Sequence, residues 1–279
     1  MSDVPELLQL DELADGRFQV RQPTESAEGR DVVFSGQLIA QMIMAADHSV
    51  EGSKDVKSVH AIFARAGSYT MPIELEVDVM QSGRTWASDT ITATQQGKLL
   101  CRALLLMSID DPDLMHHELS MPEVPGPDQL RDGSSLAYPG AEVRRVEAPD
   151  ATVNGVPAMW QWVRVTDVTG SPAVHQAVLS WCTPGPYIEL SMRPHADKVR
   201  IGEAHRSVST GVIGHTISFH ERFDVGEWLL ISHEATYAGR GRIHGRGLVF
   251  GRDGRLLASI SQDSMVRAVE GELDPRRAM

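Results

Sequence analysis

Gly214-His215-Thr216-Ile217-Ser218-Phe219-His220, then Glu227-Trp228-Leu229-Leu230, then Arg252-Asp253-Gly254-Arg255-Leu256-Leu257-Ala258-Ser259-Ile260-Ser261-Gln262-Asp263-Ser264-Met265-Val266-Arg267 is the stretch that decides the fold. Arg252-Asp253-Gly254-Arg255 carries an Asp-Gly turn between extended-type residues, which predicts a β-hairpin. The last strand delivers one uncharged amide, Gln262, among small and apolar neighbours. An amide there serves either as a core hydrogen-bonding group or as part of a reaction site.

Upstream, Trp160 to Thr166 reads as a strand, and Ser171-Pro172 as an N-cap with proline at the first helical position. Ala173 to Trp181 is predicted helical. Thr183-Pro184 repeats the start signal before a second helix, Tyr187 to Met192. The first half has the same logic. Ser35 reads as the N-cap of an almost continuously apolar helix (Leu38, Ile39, Met42, Ile43, Ala45, Ala46), a pattern of burial on most sides. Gly36 leaves room for a close backbone approach. Strands are predicted at Val56–Phe63, Ile73–Gln81, Trp86–Gln95 and Lys98–Ser108, with turns at Ser82-Gly83-Arg84 and Gln96-Gly97. Before them, Pro5–Asp15 reads as a short lead-in helix and Phe18–Arg21 as a short extended segment.

The halves overlay with nearly equal steps from His60 to Gly97 and from His215 to Gly254, and each glycine is followed by a strand ending near Met107 or Met265. This is an internal duplication with weak identity. Its prediction is an α+β fold: two units of an antiparallel sheet wrapped on a helix, side by side as one continuous sheet. The units are expected at 1–110 and 151–279, with a Pro-, Gly- and Asp-rich connection over 111–150.

The formal net charge of -12 argues against broad nucleic-acid binding. No segment has the apolar length of a membrane span. The acidic start, Met1-Ser2-Asp3-Val4-Pro5-Glu6, lacks a secretory pattern, and two cysteines are too few for a disulfide framework or a four-cysteine zinc site. A cytoplasmic location is the expectation. The histidines show no metal-binding spacing, so no metal site is predicted, and there is no Gly-x-Ser-x-Gly elbow. Cys101 reads as core. Cys182 lies near a predicted helix start, without an evident base.

Phe34-Ser35-Gly36-Gln37, His60-Ala61-Ile62-Phe63-Ala64-Arg65-Ala66-Gly67, Gln95-Gln96-Gly97-Lys98, Arg193-Pro194-His195, Phe219-His220, Glu227-Trp228-Leu229-Leu230 and Leu257-Ala258-Ser259-Ile260-Ser261-Gln262-Asp263 stand in an order and spacing that resembles type II acyl-CoA thioesterases. The resemblance covers about Phe34 to Arg267 and implies a double hotdog fold. It further implies hydrolysis of fatty acyl-CoA by a water held by an Asp, a Thr and a Gln, with coenzyme A entering only as part of the substrate. By analogy a homo-oligomer is expected.

Carried over by position, the Gln is Gln262. The Asp falls within Cys182-Thr183-Pro184-Gly185, which has no carboxylate, and the Thr falls on Val212. The resemblance therefore implies reduced or altered hydrolysis, or, alternatively, a protein that binds acyl-CoA or an acyl carrier without hydrolysing it. Thr183 and Thr210 are the candidate auxiliary hydroxyls, Thr210 because it shares strand parity with Val212. Gly36 and Gln37 are expected to line the thioester site, with Val212 and His215 beside it. Arg65 and Gly67 form a second candidate contact to substrate. His60 and His215 occupy matching places and read as buried sheet histidines, with His215 as a replacement base the sharper alternative. Arg240, Arg242, His244 and Arg246 read as a solvated face or as a strip for coenzyme A phosphates. Asp263 reads as the partner of an arginine on the opposite face from Gln262.

Overall fold

The computed structural model describes residues 4–23, 31–131, 133, 140–199 and 208–268. Parts of the predicted connection and of the C-terminal unit lie outside these residues. A short helix α1 (Val4–Leu7) leads into β1 (Leu10–Ala14) and β2 (Arg17–Val20). The single lead-in helix expected over 5–15 is thus split: only one turn is helical, and Leu10–Ala14 pairs with β2 at the sheet edge. Next come α2 (Ser35–Ser49), β3 (Asp55–Phe63), β4 (Ile73–Ser82), β5 (Trp86–Gln95) and β6 (Lys98–Ser108). The second half has β7 (Ala141–Arg145), β8 (Thr152–Val153), β9 (Val156–Val165), α3 (Pro172–Cys182), α4 (Pro186–Met192), β10 (Val208–Phe219), β11 (Leu229–Gly239), β12 (Arg242–Gly251) and β13 (Leu256–Ala268).

The strands form one sheet in the order β1-β2-β4-β5-β6-β3-β10-β13-β12-β11-β9-β7, with β8 paired to β9. Reading outward from the β3–β10 junction, β3-β6-β5-β4 on one side mirrors β10-β13-β12-β11 on the other. That is the duplication seen in the sequence, closed antiparallel through pairs such as Ile217 with Val59. The hairpin predicted at Asp253-Gly254 joins β12 to β13, with Gly254 at φ 92°, a left-handed geometry that favours glycine.

The two long helices lie on one face of this sheet and run antiparallel. The start of α2 packs on the end of α3: a side chain at Gly36 would place its Cβ 2.6 Å from Trp181 O. At the other end, Ser171 Oγ donates to Asp47 Oδ2 at 3.5 Å. Ser35 is not the N-cap of α2. Phe34 holds that place and Ser35 is the first helical residue, so the predicted cap is shifted by one. Buried amides anchor both helices, α2 to α1 and to the chain just past β2, and α3 to β3. Gln41 Nε2 donates to the carbonyls of Leu7 and Arg21 (2.9 and 2.8 Å), and Gln176 Nε2 donates to that of Val56 (2.8 Å).

The other face of the C-terminal sheet is covered by the connection between the units. Met121, Val124 and Leu130 pack on Trp162, Trp228, Leu230 and Phe250, and Trp162 Nε1 donates to Pro125 O at 2.9 Å. The stretch expected as a bare connection therefore seals apolar surface, and its residues 141–145 extend the sheet as β7. Ile62 and Leu104, diagonal neighbours on β3 and β6 (Ile62 pairs with Arg102, Leu104 with His60), are exposed on the N-terminal half.

Candidate active site

The structure brings Thr183, His215, Gln262 and Ser264 into one hydrogen-bonded chain under the helices. His215 (β10) and Gln262 (β13) are cross-strand partners, with His215 Nδ1 3.0 Å from Gln262 Oε1. On the other side of the ring, His215 Nε2 lies 2.9 Å from Thr183 Oγ1. Gln262 Nε2 donates to Ser264 Oγ at 3.0 Å. All four side chains are buried, Thr183 and Ser264 at 0% exposure. An amide oxygen can only accept, so Nδ1 carries the imidazole proton and Nε2 presents a lone pair to the Thr183 hydroxyl. The same hydroxyl lies 3.0 Å from Ser180 O, a second acceptor.

Local structure explains each placement. Between Val212 and Gly214 the β10–β13 register shifts by one residue, a β-bulge. Strict alternation from the buried Thr210 would put His215, five residues on, on the opposite face; past the bulge, His215 is buried beside Gln262. Thr183 does not start the second short helix, as the Thr183-Pro184 signal predicts. It is the C-cap of α3, and α4 begins at Pro186 after Gly185 at φ 115°. Gly185 is needed there because that φ disfavours a side chain. The three-residue break between the helices (Thr183-Pro184-Gly185) leaves Thr183 turned toward the sheet, where its hydroxyl meets His215.

Burial depresses the His215 pKa to about 4, against a partial lift from the Gln262 hydrogen bond, so the ring is neutral at pH 7. Burial pushes both Cys101 and Cys182 up to about 12, which removes any thiolate role near neutrality.

Of the remaining sequence candidates, Gly36 abuts Trp181, two residues before Thr183. Gln37 Nε2 donates to Gln22 Oε1 at 2.9 Å. Gln22 lines a cavity of about 390 Å³ bounded also by Leu7, Arg21, Tyr69 and Met71. That cavity belongs to the N-terminal unit; Thr183, His215 and Gln262 are not in its wall. Thr210 is buried and paired with Val266, outside the hydrogen-bonded chain, and Val212 offers no hydroxyl. Gly67 lies in the N-terminal unit, where its carbonyl accepts from Val33 N at 2.8 Å and Leu100 occupies the space a side chain would need. Arg65 is exposed beside it. His60 is a correction. It is exposed, 3.3 Å from Thr216 Oγ1, and Ala61 is the residue that faces His215 across β3–β10. Arg242 and His244 both reach Asp263 (2.9 and 3.2 Å), and Arg246 reaches Glu234 (2.8 Å), so these three side chains are engaged by carboxylates of the same sheet. Ser264 is the member that sequence reading missed; its spacing of two from Gln262 places it on the same strand face. Among the described residues, no three His, Cys, Asp or Glu side chains cluster in a way that could hold a metal, and no helix is long and apolar enough to cross a membrane.

The model of an acyl-CoA thioesterase N-terminal domain matches residues 23–108, and that of the acyl-CoA thioesterase C-terminal domain matches residues 118–266. The chain belongs to the acyl-CoA thioesterase family. Within that family it is 27% identical over 267 residues to human acyl-coenzyme A thioesterase 8, covering 84% of this chain and 80% of that one. It is 26% identical over 258 residues to acyl-CoA thioesterase 2 of Haemophilus influenzae, covering 85% and 88%. Its fold is shared with a solved acyl-CoA thioesterase II from Mycobacterium marinum, at TM-score 0.81 and 22% identity over 97% of this chain and 99% of that one. The double hotdog expected from the sequence is thus the observed architecture.

Proposed function

We propose that this protein hydrolyses acyl-CoA thioesters to a carboxylic acid and coenzyme A at the Thr183–His215–Gln262 group. The observation that carries this is a neutral imidazole held between a hydroxyl and an amide, at 2.9 and 3.0 Å, in a chain of this family. Thioester hydrolysis needs a proton acceptor near the carbonyl and donors for the oxyanion. His215 Nε2 is the acceptor. The start of α2 at Ser35-Gly36, packed against the end of α3, supplies N–H groups without partners inside the helix. Purified protein mixed with acyl-CoA of several chain lengths should release free thiol; a folded sample that releases none with any of them removes this reading.

A second reading, acyl-CoA binding without turnover, is favoured by Cys182-Thr183-Pro184-Gly185, which lacks the acid the resemblance implies there, and by Val212, which stands where it implies a hydroxyl. It is distinguished by calorimetric binding of acyl-CoA in the absence of thiol release. The exposed Ile62 and Leu104, diagonal to each other across β3 and β6, support association into a homo-oligomer, which light scattering on the purified chain would test. Two free, buried thiols are in keeping with a reducing cytoplasm.

A further inference from the structure

We infer that Thr183 is the nucleophile of a two-step covalent hydrolysis, with His215 as its base and Gln262 as the group that orients His215. This rests on the thioester hydrolase reading above.

Three features point to it. First, the hydrogen-bonded chain contains no carboxylate that could activate a water: it runs through a hydroxyl, an imidazole, an amide and a second hydroxyl. Second, the lone-pair nitrogen of His215 is directed at Thr183 Oγ1, 2.9 Å away, and the opposite nitrogen is fixed by Gln262 Oε1 at 3.0 Å. Hydroxyl, base and orienting group in hydrogen-bond sequence is the arrangement that raises the reactivity of an otherwise weak alcohol. Third, the backbone that carries Thr183 is held from several sides. Thr183 ends α3, Gly185 turns the chain at φ 115°, and α2 closes on the preceding turn so tightly that only glycine fits at position 36. A reacting hydroxyl needs such a fixed position. Ser180 O, at 3.0 Å, is the alternative acceptor for the hydroxyl once His215 is protonated.

In the first step Thr183 Oγ attacks the thioester carbonyl carbon as its proton passes to His215 Nε2. The C–S bond breaks and the imidazolium returns the proton to the departing sulfur, giving coenzyme A thiol and an ester on Thr183. In the second step water yields a proton to Nε2 and attacks the ester. The C–Oγ bond breaks, the proton returns to Oγ, and the carboxylic acid leaves.

The test uses the full chain and decanoyl-CoA. Thr183→Cys places a thiol at the same point; its acyl thioester is expected to accumulate and to appear in intact mass and peptide mapping at position 183. The wild type controls for the neighbouring Cys182. Thr183→Val keeps the shape without the hydroxyl and should lose at least 1000-fold in kcat. A wild type that hydrolyses decanoyl-CoA, together with folded Thr183→Val retaining more than a tenth of kcat, overturns the nucleophile and leaves the hydrolase reading standing. A folded Thr183→Cys that stays unacylated does the same. If neither variant melts cooperatively, Thr183→Ser decides. A burst of one coenzyme A per chain before steady state supports the covalent route, and its absence overturns it. A wild type inert toward every thioester fails the underlying reading instead.

Discussion

His215 and Gln262 face each other across the β10–β13 ladder with Nδ1 3.0 Å from Oε1. The contact fixes which nitrogen of the ring is free, and so gives the site its direction, from Gln262 through His215 to Thr183. Replacing the neutral acceptor by a charged one should then act on the ring. In Gln262→Glu, a carboxylate beside Nδ1 favours the imidazolium. The acid limb of the kcat/KM profile, expected near the His215 pKa of about 4 in the wild type, should move up toward neutral pH. A limb that stays in place would show that Gln262 does not orient His215.

Ser264→Ala removes the acceptor that Gln262 Nε2 uses at 3.0 Å. A buried amide left without a partner costs about 1–3 kcal/mol. The expected result is a drop in thermal stability together with a fall in kcat of about tenfold or more, the equivalent of ~1.4 kcal/mol in the barrier, and little change in KM. Unchanged kcat in the destabilised variant would limit Ser264 to a structural role.

Stability should fall on acidification through two histidines. Burial holds His215 at about 4 and His233 at about 3, with Arg145 adding to the depression of His233. Both lie below the unfolded value of about 6.5. Between pH 6.5 and the folded values the unfolded chain binds more protons, so stability rises with pH through that window and is fully present above it. As pH falls toward 4, His215 alone should cost on the order of 3 kcal/mol. His233→Leu should flatten the lower part of this dependence in melts between pH 7 and pH 3.5. It should cost little at pH 7, because neither ring nitrogen of His233 has a hydrogen-bond partner in its buried site. Equal acid sensitivity in the variant would contradict this.

Gly245 and Gly247 are fitted to Tyr187. A Cβ at Gly245 would come within 2.2 Å of Tyr187 Cδ1, and one at Gly247 within 2.5 Å of its hydroxyl. Gly245→Ala should therefore destabilise by about 1–3 kcal/mol, the usual cost of overpacking. Because Gly245 pairs with Gln262, it should also displace the strand that carries the amide. Tyr187→Phe should be neutral or stabilising, since the buried hydroxyl has no partner to lose. Chemical denaturation of the two variants measures both effects.

Gly36→Ala tests the helix contact. Its Cβ would meet the backbone oxygen of Trp181 at 2.6 Å, and backbone cannot swing aside as a flexible side chain can. A loss of about 1–3 kcal/mol is expected, with a larger fractional loss of kcat than of binding, because the shift moves the end of α3 and with it Thr183. A variant with wild-type melting and turnover would mean that the helices approach less closely in solution.

By itself the sequence determined the elements that rest on local patterning. The all-round apolar helix at 35–49, the Asp-Gly hairpin at 253–254, the strand alternation of both halves and their duplication are set by residue period and turn chemistry, which act over a few neighbours. Gln262 was legible as an unusual amide for the same reason. Tertiary structure alone decided what Gln262 touches. Thr183, His215 and Gln262 lie far apart along the chain and meet only because α3 ends over the β10–β13 ladder and a bulge after Val212 turns His215 inward. A bulge changes strand parity without a signal in side-chain periodicity, so the overlay matched His215 to the exposed His60 instead of to the cross-strand site it occupies. The covering role of residues 121–130 was hidden in the same way. A connection has no repeat of its own, and its Met121, Val124 and Leu130 acquire a purpose only against the apolar tryptophan face of the sheet, which they bury.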